Sequence, residues 1–200
     1  YNVKYICSEN SYLDKYNEKF HIIHSHEKYD LIEFIDIDCI NDLHNDLALL
    51  LPTSGSTGSP KFVKISYNNL YSNTKSISQS LPIESNDVAL TTMPMSYSYG
   101  LSIVNTHLFN GASIVLTNKT MMEKGFWSLF FNTKITTFGG VPFIYKMLKR
   151  LKFSEMNLST LKYITQAGGR LDSSLVEYFT SVCRKNNSKF YVMYGQTEAT

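Results

Sequence analysis

At 200 residues, 43% hydrophobic and 18% charged, with no low-complexity tract, the chain can bury roughly 70% of its extended surface around one core. Its net charge of +2 comes without a Lys/Arg stripe interleaved with aromatics, so nucleic acid is not an expected partner. Cys7, Cys39 and Cys183 are odd in number and far apart, which argues against a disulfide framework or a zinc site and fits the cytoplasm. No apolar run reaches the roughly 20 residues needed to span a bilayer, and nothing resembles a signal peptide.

In chain order, residues 3–7, 20–25 and 31–37 are strand-like, with a short helix or loop over 8–19. His24 and His26 would share one face of a strand, with His21 nearby. Without a Cys or carboxylate at ligand spacing, a partly exposed strand is preferred to a metal site. From residue 46 onward, short β-branched or aromatic runs alternate with segments of helical period. Strands are predicted over 46–51, 62–66, 88–92, 113–116, 135–138, 163–166 and 189–193. Helices are predicted over 67–80, 100–109, 122–132, 142–151 and 173–185, with Pro142 in a first turn and Asp172 or Ser173 as a cap. Alternation of this kind implies an α/β fold with a mainly parallel sheet and helices on both faces, and ligands beyond the carboxyl ends of its strands.

Residues 49–66, LLLPTSGSTGSPKFVKIS, run an apolar strand into a loop of small hydroxyl residues and glycines. Thr53, Ser54, Ser56, Thr57 and Ser59 supply hydroxyls, Gly55 and Gly58 let backbone N–H groups turn toward an oxyanion, and Lys61 adds a positive charge. Taken alone, such a loop is more often an ordinary turn. It is not a P-loop, because Ser59 and Pro60 separate Gly58 from Lys61 and the following segment is strand-like.

The segment 53–61 resembles the signature loop of the adenylate-forming superfamily, which includes acyl-CoA synthetases, peptide-synthetase adenylation domains and luciferases. Three further segments match in the family's order. Residues 93–101, MPMSYSYGL, resemble the motif lining the acyl pocket; 166–171, QAGGRL, the glycine pair beside the nucleotide; and 191–200, YVMYGQTEAT, the YGxTE motif. Val141 and Pro142 are a weaker fifth match. The resemblance covers residues 46–200. It implies part of an N-terminal domain, with residues 1–45 as strands packing on it and the C-terminal domain beyond this chain.

The activity implied is attack of a carboxylate on the α-phosphorus of ATP, with loss of pyrophosphate and Mg²⁺ as cofactor. The acyl group then passes to a thiol, of coenzyme A or of an acyl carrier protein's phosphopantetheine. By the resemblance, Thr53 to Gly58 and Lys61 hold the β- and γ-phosphates. Gly168 and Gly169 let the backbone approach the nucleotide, Tyr194 lies against adenine with Gly195 and Gln196 beside it, Thr197 donates to an α-phosphate oxygen, and Glu198 coordinates the metal. Tyr97, Tyr99 and Gly100 would line the acid pocket, with Val141 and Phe143 in an apolar wall or simply in the core. Tyr97 stands where many acyl-CoA synthetases carry a His, which removes a group that titrates near neutrality. Arg170 occupies a variable position and is assigned no catalytic duty.

Family members are usually much longer, so the chain is expected to be a piece of the enzyme, with at most weak adenylation on its own. The alternative is a relative that holds nucleotide or acyl group without turnover; Lys61 and Glu198, both present, favour the enzyme.

Overall fold

The computed structural model describes residues 4–35, 44–53 and 61–199. The chain divides into two units, Tyr1–Asn45 and Asp46–Thr200.

In the first unit, β1 (Tyr5–Glu9), β2 (Phe20–His26) and β3 (Tyr29–Phe34) form an antiparallel sheet in the order β1-β3-β2. The predicted strand over 31–37 begins earlier because a two-residue turn at Glu27 and Lys28, with Glu27 at φ 52°, sets Tyr29 opposite His26. Asn10–Lys15 is a 3₁₀ helix. Ile32 and Phe34 are buried, and the Tyr16, Phe20 and Phe34 rings meet edge to face. His21, His24 and His26 lie on the exposed length of β2, with a bulge between Ile22 and His24 separating His21 from the other two. Among the described residues no group of three His, Cys, Asp or Glu side chains is placed to hold a metal. Val3, Cys39 and residues 36–37 lie outside the described residues.

The second unit opens with β4 (Leu47–Pro52) and β5 (Phe62–Ser66), paired antiparallel as a separate two-stranded sheet. Residues 53–61 are too few for the crossover of roughly a dozen or more residues that a parallel pair needs. Ser66 then starts α1 (Tyr67–Ser80) through a reciprocal cap: its hydroxyl accepts the Asn69 N–H at 3.1 Å and the Asn69 amide oxygen accepts its own N–H at 3.0 Å.

The remaining elements alternate: β6 (Val88–Leu90), α2 (Ser98–Phe109), β7 (Ser113–Val115), α3 (Lys124–Asn132), β8 (Thr137–Gly140), α4 (Pro142–Arg150), β9 (Tyr163–Gln166), α5 (Ser173–Lys185) and β10 (Lys189–Val192). Their five strands are all parallel, in the order β10-β9-β8-β6-β7. Period-two alternation sends Leu90, Phe138 and Ile164 into one core with Phe130 of α3, Leu148 of α4 and Phe179 of α5. Ala89 and Tyr163 face the other side, with Tyr99 and Ile103 of α2 and Ile77 of α1. Full burial of each large apolar side chain contributes about 1.5–3 kcal/mol, so both faces are needed to hold the sheet.

Two local expectations are corrected. The strand predicted over 135–138 lies at Thr137–Gly140, because Gly139 and Gly140 continue it: a Cβ on Gly139 would meet the Tyr99 hydroxyl, and one on Gly140 would meet Ile144. Asp172 is the N-cap residue of α5, but its side chain makes no capping bond and its nearest cation is Lys146 at 3.9 Å. Among the described residues, no helix is long and apolar enough to cross a membrane.

Candidate functional site

The strand order reverses between β6 and β8, and the segments following β6, β9 and β10 meet at the carboxyl edge of the sheet. Together with α1 and the end of β4 they line a cleft of about 750 Å³.

After β6, the Tyr97 N–H bonds the Pro94 carbonyl at 3.1 Å, and α2 begins beneath that turn. Gly100 does not line the cleft; a Cβ there would run into the carbonyls of Met93 and Pro94, so only glycine lets α2 pass so close. Tyr97 is the N-cap residue of α2 without capping it, and its ring lines the cleft with Ser96, Ser98, Tyr99 and Ser102. Tyr99 is buried: its hydroxyl donates to the Thr165 carbonyl at 2.8 Å and lies 2.7 Å from the Thr165 hydroxyl. Burial pushes its phenol above the ordinary tyrosine range, so it remains a neutral donor.

After β9, Gly168 takes φ +73° and Gly169 φ +151°, conformations that favour glycine. The Gln166 amide pins the turn, donating from Nε2 to the carbonyls of Ala167 at 3.0 Å and Gly169 at 2.8 Å. Ala167 and Gly168 line the cleft and Gly169 does not. After β10, the Met193 N–H bonds the Gln166 carbonyl at 2.8 Å, and the chain turns into a single 3₁₀ turn, Thr197–Ala199. Tyr194 is 91% exposed, a bare aromatic face at the cleft rim, followed by Gly195, Gln196, Thr197 and Glu198. The Thr197 hydroxyl lies 3.5 Å from that of Ser98, and the Asn73 amide reaches the Ala199 carbonyl at 3.5 Å.

Thr53 lines the opposite wall with Pro52. Its N–H donates to the Lys61 carbonyl at 2.8 Å, closing the base of the loop. Ser54, Gly55, Ser56, Thr57, Gly58 and Ser59 lie outside the described residues.

Asn73 and Ile77 of α1 and Ser102 of α2, which belong to no motif recognised in the sequence, also line the cleft, as does Met193 of the 191–200 segment, to which no role is assigned. The i, i+4 spacing of Asn73 and Ile77 puts both on one helix face, which is the signal that was available. Neither Val141 nor Phe143 lines the cleft: Phe143 is 65% exposed, so it belongs neither to the expected wall nor to the core, and Val141 backs Gly168.

A parallel sheet covered on both faces, with a cleft of mixed polar and apolar lining at its carboxyl edge, defines an α/β ligand-binding domain. The family model of the AMP-binding enzymes matches residues 16–200, and the chain belongs to that family. It is 29% identical over 158 residues to a D-alanine–D-alanyl carrier protein ligase of Bacillus licheniformis, covering 78% of this chain and 31% of that ligase. Among solved structures it is similar to VinN in complex with L-aspartate, at 28% identity and TM-score 0.66, covering 76% of this chain and 38% of that one. It is also similar to the O-succinylbenzoate coenzyme A synthetase MenE of Bacillus subtilis in complex with ATP and magnesium, at 26% identity and TM-score 0.62, covering 74% and 30%. The chain thus spans about a third of the length of that carrier protein ligase. The architecture expected from the motifs, a mainly parallel α/β sheet like that of the N-terminal domains of adenylate-forming enzymes, is the one observed.

Proposed function

We propose that this segment supplies the nucleotide- and acid-binding surface of an enzyme that activates a carboxylic acid with ATP and transfers the acyl group to a thiol. The observation that carries the reading is the convergence of three sequence motifs, 93–101, 166–171 and 191–200, on one cleft of about 750 Å³ whose far wall begins the Ser/Thr/Gly loop. Membership of the AMP-binding family and likeness to carrier-protein and coenzyme A ligases support the same chemistry.

In this proposal the acid's carboxylate oxygen attacks the α-phosphorus, an O–P bond forms, the bond to pyrophosphate breaks, and an acyl-adenylate remains. Two anions must be brought together, and alignment alone lowers such a barrier by on the order of 7–11 kcal/mol. The loop from Thr53 to Lys61, including Ser54, Gly55, Ser56, Thr57 and Gly58, would hold the leaving pyrophosphate. Tyr194 offers an exposed ring for adenine to stack on, in the same cleft as Gly168. The Thr197 hydroxyl would donate to an α-phosphate oxygen. Glu198 fits a hard cation: it is an exposed carboxylate at the cleft wall with no ion-pair partner among the described residues. Magnesium held there would neutralise phosphate charge. The acceptor is coenzyme A or a carrier protein's phosphopantetheine, and the setting is cytoplasmic.

The test is carboxylate-dependent exchange of labelled pyrophosphate into ATP by the full-length protein with short, amino, aromatic and fatty acids. Exchange with one class is expected. Its absence with every acid, in protein shown to be folded and to bind ATP, would overturn adenylation in favour of a non-catalytic binding role.

A further inference from the structure

The cleft continues inward between α1, α2 and the sheet into a second space, lined by Leu81, Ile103, Thr106, His107, Thr137 and Tyr163 among others. Ile77, Tyr99, Ser102 and Met193 line both spaces and so form a floor between them. Above the floor the cleft offers about 750 Å³; below it there is about 10 Å³, room for one water at most.

The floor is held from behind. Tyr99 is 7% exposed, its hydroxyl is bonded to both oxygens of Thr165, and the hydroxyl of the fully buried Tyr145 bonds the same Thr165 carbonyl at 2.6 Å. The Tyr99 hydroxyl occupies the place a Cβ on Gly139 would need, so the ring is seated in a slot cut by that glycine. Displacing it would leave buried polar groups unpaired. The wall below is also committed. His107 donates from Nδ1 to the Ile103 carbonyl at 2.7 Å, and its Nε2 lies 2.9 Å from the Thr137 hydroxyl and 3.2 Å from that of Tyr163. A methylene chain driven past Tyr99 would find almost no free volume there: the space is small and lined mostly by apolar groups such as Leu81, Ile103 and Phe138, and the hydrogen-bonded wall behind it leaves no open tunnel.

We propose that the site takes a short carboxylic acid and excludes medium- and long-chain ones, with Tyr99, locked on Thr165, as the residue that sets the length limit. This rests on the adenylation reading above, with the acid entering the cleft tail first toward the floor.

The test measures pyrophosphate exchange by the full-length protein with acetate, glycine, alanine and butyrate against octanoate and laurate, alongside a direct titration of ATP binding. At least one short acid is expected to exceed octanoate and laurate in kcat/KM by about tenfold or more. In Tyr99→Ala, with folding checked by thermal melting, that ratio should fall by about tenfold as the floor opens. Should this variant fail to fold, Ile77→Ala opens the same floor from α1. Octanoate or laurate matching the short acids in the wild-type protein overturns the length limit while adenylation stands. A ratio unmoved in both variants overturns the assignment to the Tyr99 floor. Exchange with no acid despite ATP binding overturns adenylation itself, and this inference with it.

Discussion

A Cβ placed on Gly168 would come within 2.6 Å of the Tyr97 hydroxyl, so the turn after β9 and the segment before α2 close on each other along one wall of the cleft. Gly168 also sits at φ +73°, where an L side chain costs about 1–2 kcal/mol. Gly168→Ala is therefore expected to push the Tyr97 ring into the cleft and to strain the turn at once. Exchange kinetics should show KM for ATP or acid raised by about tenfold, with a melting temperature lowered by only a few degrees. An unchanged KM would place this wall outside the binding surface.

At the opposite end of the sheet, Lys162 lies 2.8 Å from the fully buried carboxylate of Asp87 and 2.7 Å from Glu84. Asp87 also accepts from the Glu84 N–H at 2.8 Å and the Thr136 hydroxyl at 3.0 Å, which ties the starts of β6, β8 and β9 together. Burial pulls the Lys162 ammonium down, but the two carboxylates outweigh it and leave it raised above the ordinary lysine value. Lys162→Met should cost about 2 kcal/mol, less than for a fully buried pair because Lys162 is partly exposed. That corresponds to roughly 4–8 °C in thermal melting. KM should not change, since the pair lies away from the cleft; a melting point within a degree or so of wild type would show that the pair contributes nothing net.

Where the determinants are local, the sequence predicts the structure residue for residue: Ser66 and Asn69 start α1 at residue 67, and α5 runs 173–185 in both expectation and structure. The four motif segments were legible for the same reason, as short runs of defined residue types. What depends on distant partners was not. Gly139 and Gly140 fall outside the strand predicted over 135–138, yet they continue it because Tyr99 and Ile144 fill the space their missing side chains leave. Ile77 carries no motif and Met193 no expected role within its own, and their place in the cleft floor follows from how α1 and the end of β10 pack against the sheet. The separate antiparallel pairing of β4 with β5 is a matter of loop length that strand patterns do not record.

Buried beneath that floor, His107 is neutral by construction. Burial lowers its pKa below 6.5, against the opposing effects of the Ile103 carbonyl and the charge of Asp87. The unfolded chain then binds a proton in a range where the folded one does not, so stability is complete above about pH 6.5 and declines as pH falls toward the folded value. Thermal melts across this range should show a steeper acid loss in wild type than in His107→Gln, which removes the ionisation while retaining a polar side chain. The other histidines are common to both proteins and cancel. Parallel pH profiles for the two would mean that folding does not lower the proton affinity of His107.

Lys61 and Glu198 divide the proposed phosphate work in a way that kinetics can separate. Lys61 is exposed at the foot of the 53–61 loop, where its charge would bear on pyrophosphate held in the ground state. Glu198 stands on the turn that carries Thr197, beside where the α-phosphate would react. Lys61→Ala should therefore raise KM for ATP by about tenfold and change kcat little, the pattern for loss of uniform binding. Glu198→Gln removes the charge without changing the shape. It should lower kcat by about tenfold or more at saturating ATP, because the metal-aligned geometry matters most as charge develops on the leaving group. It should also shift the magnesium dependence of exchange to higher concentration, an effect that Lys61→Ala should not share. Should both variants keep wild-type KM, kcat and magnesium dependence, neither side chain touches the triphosphate or its cation.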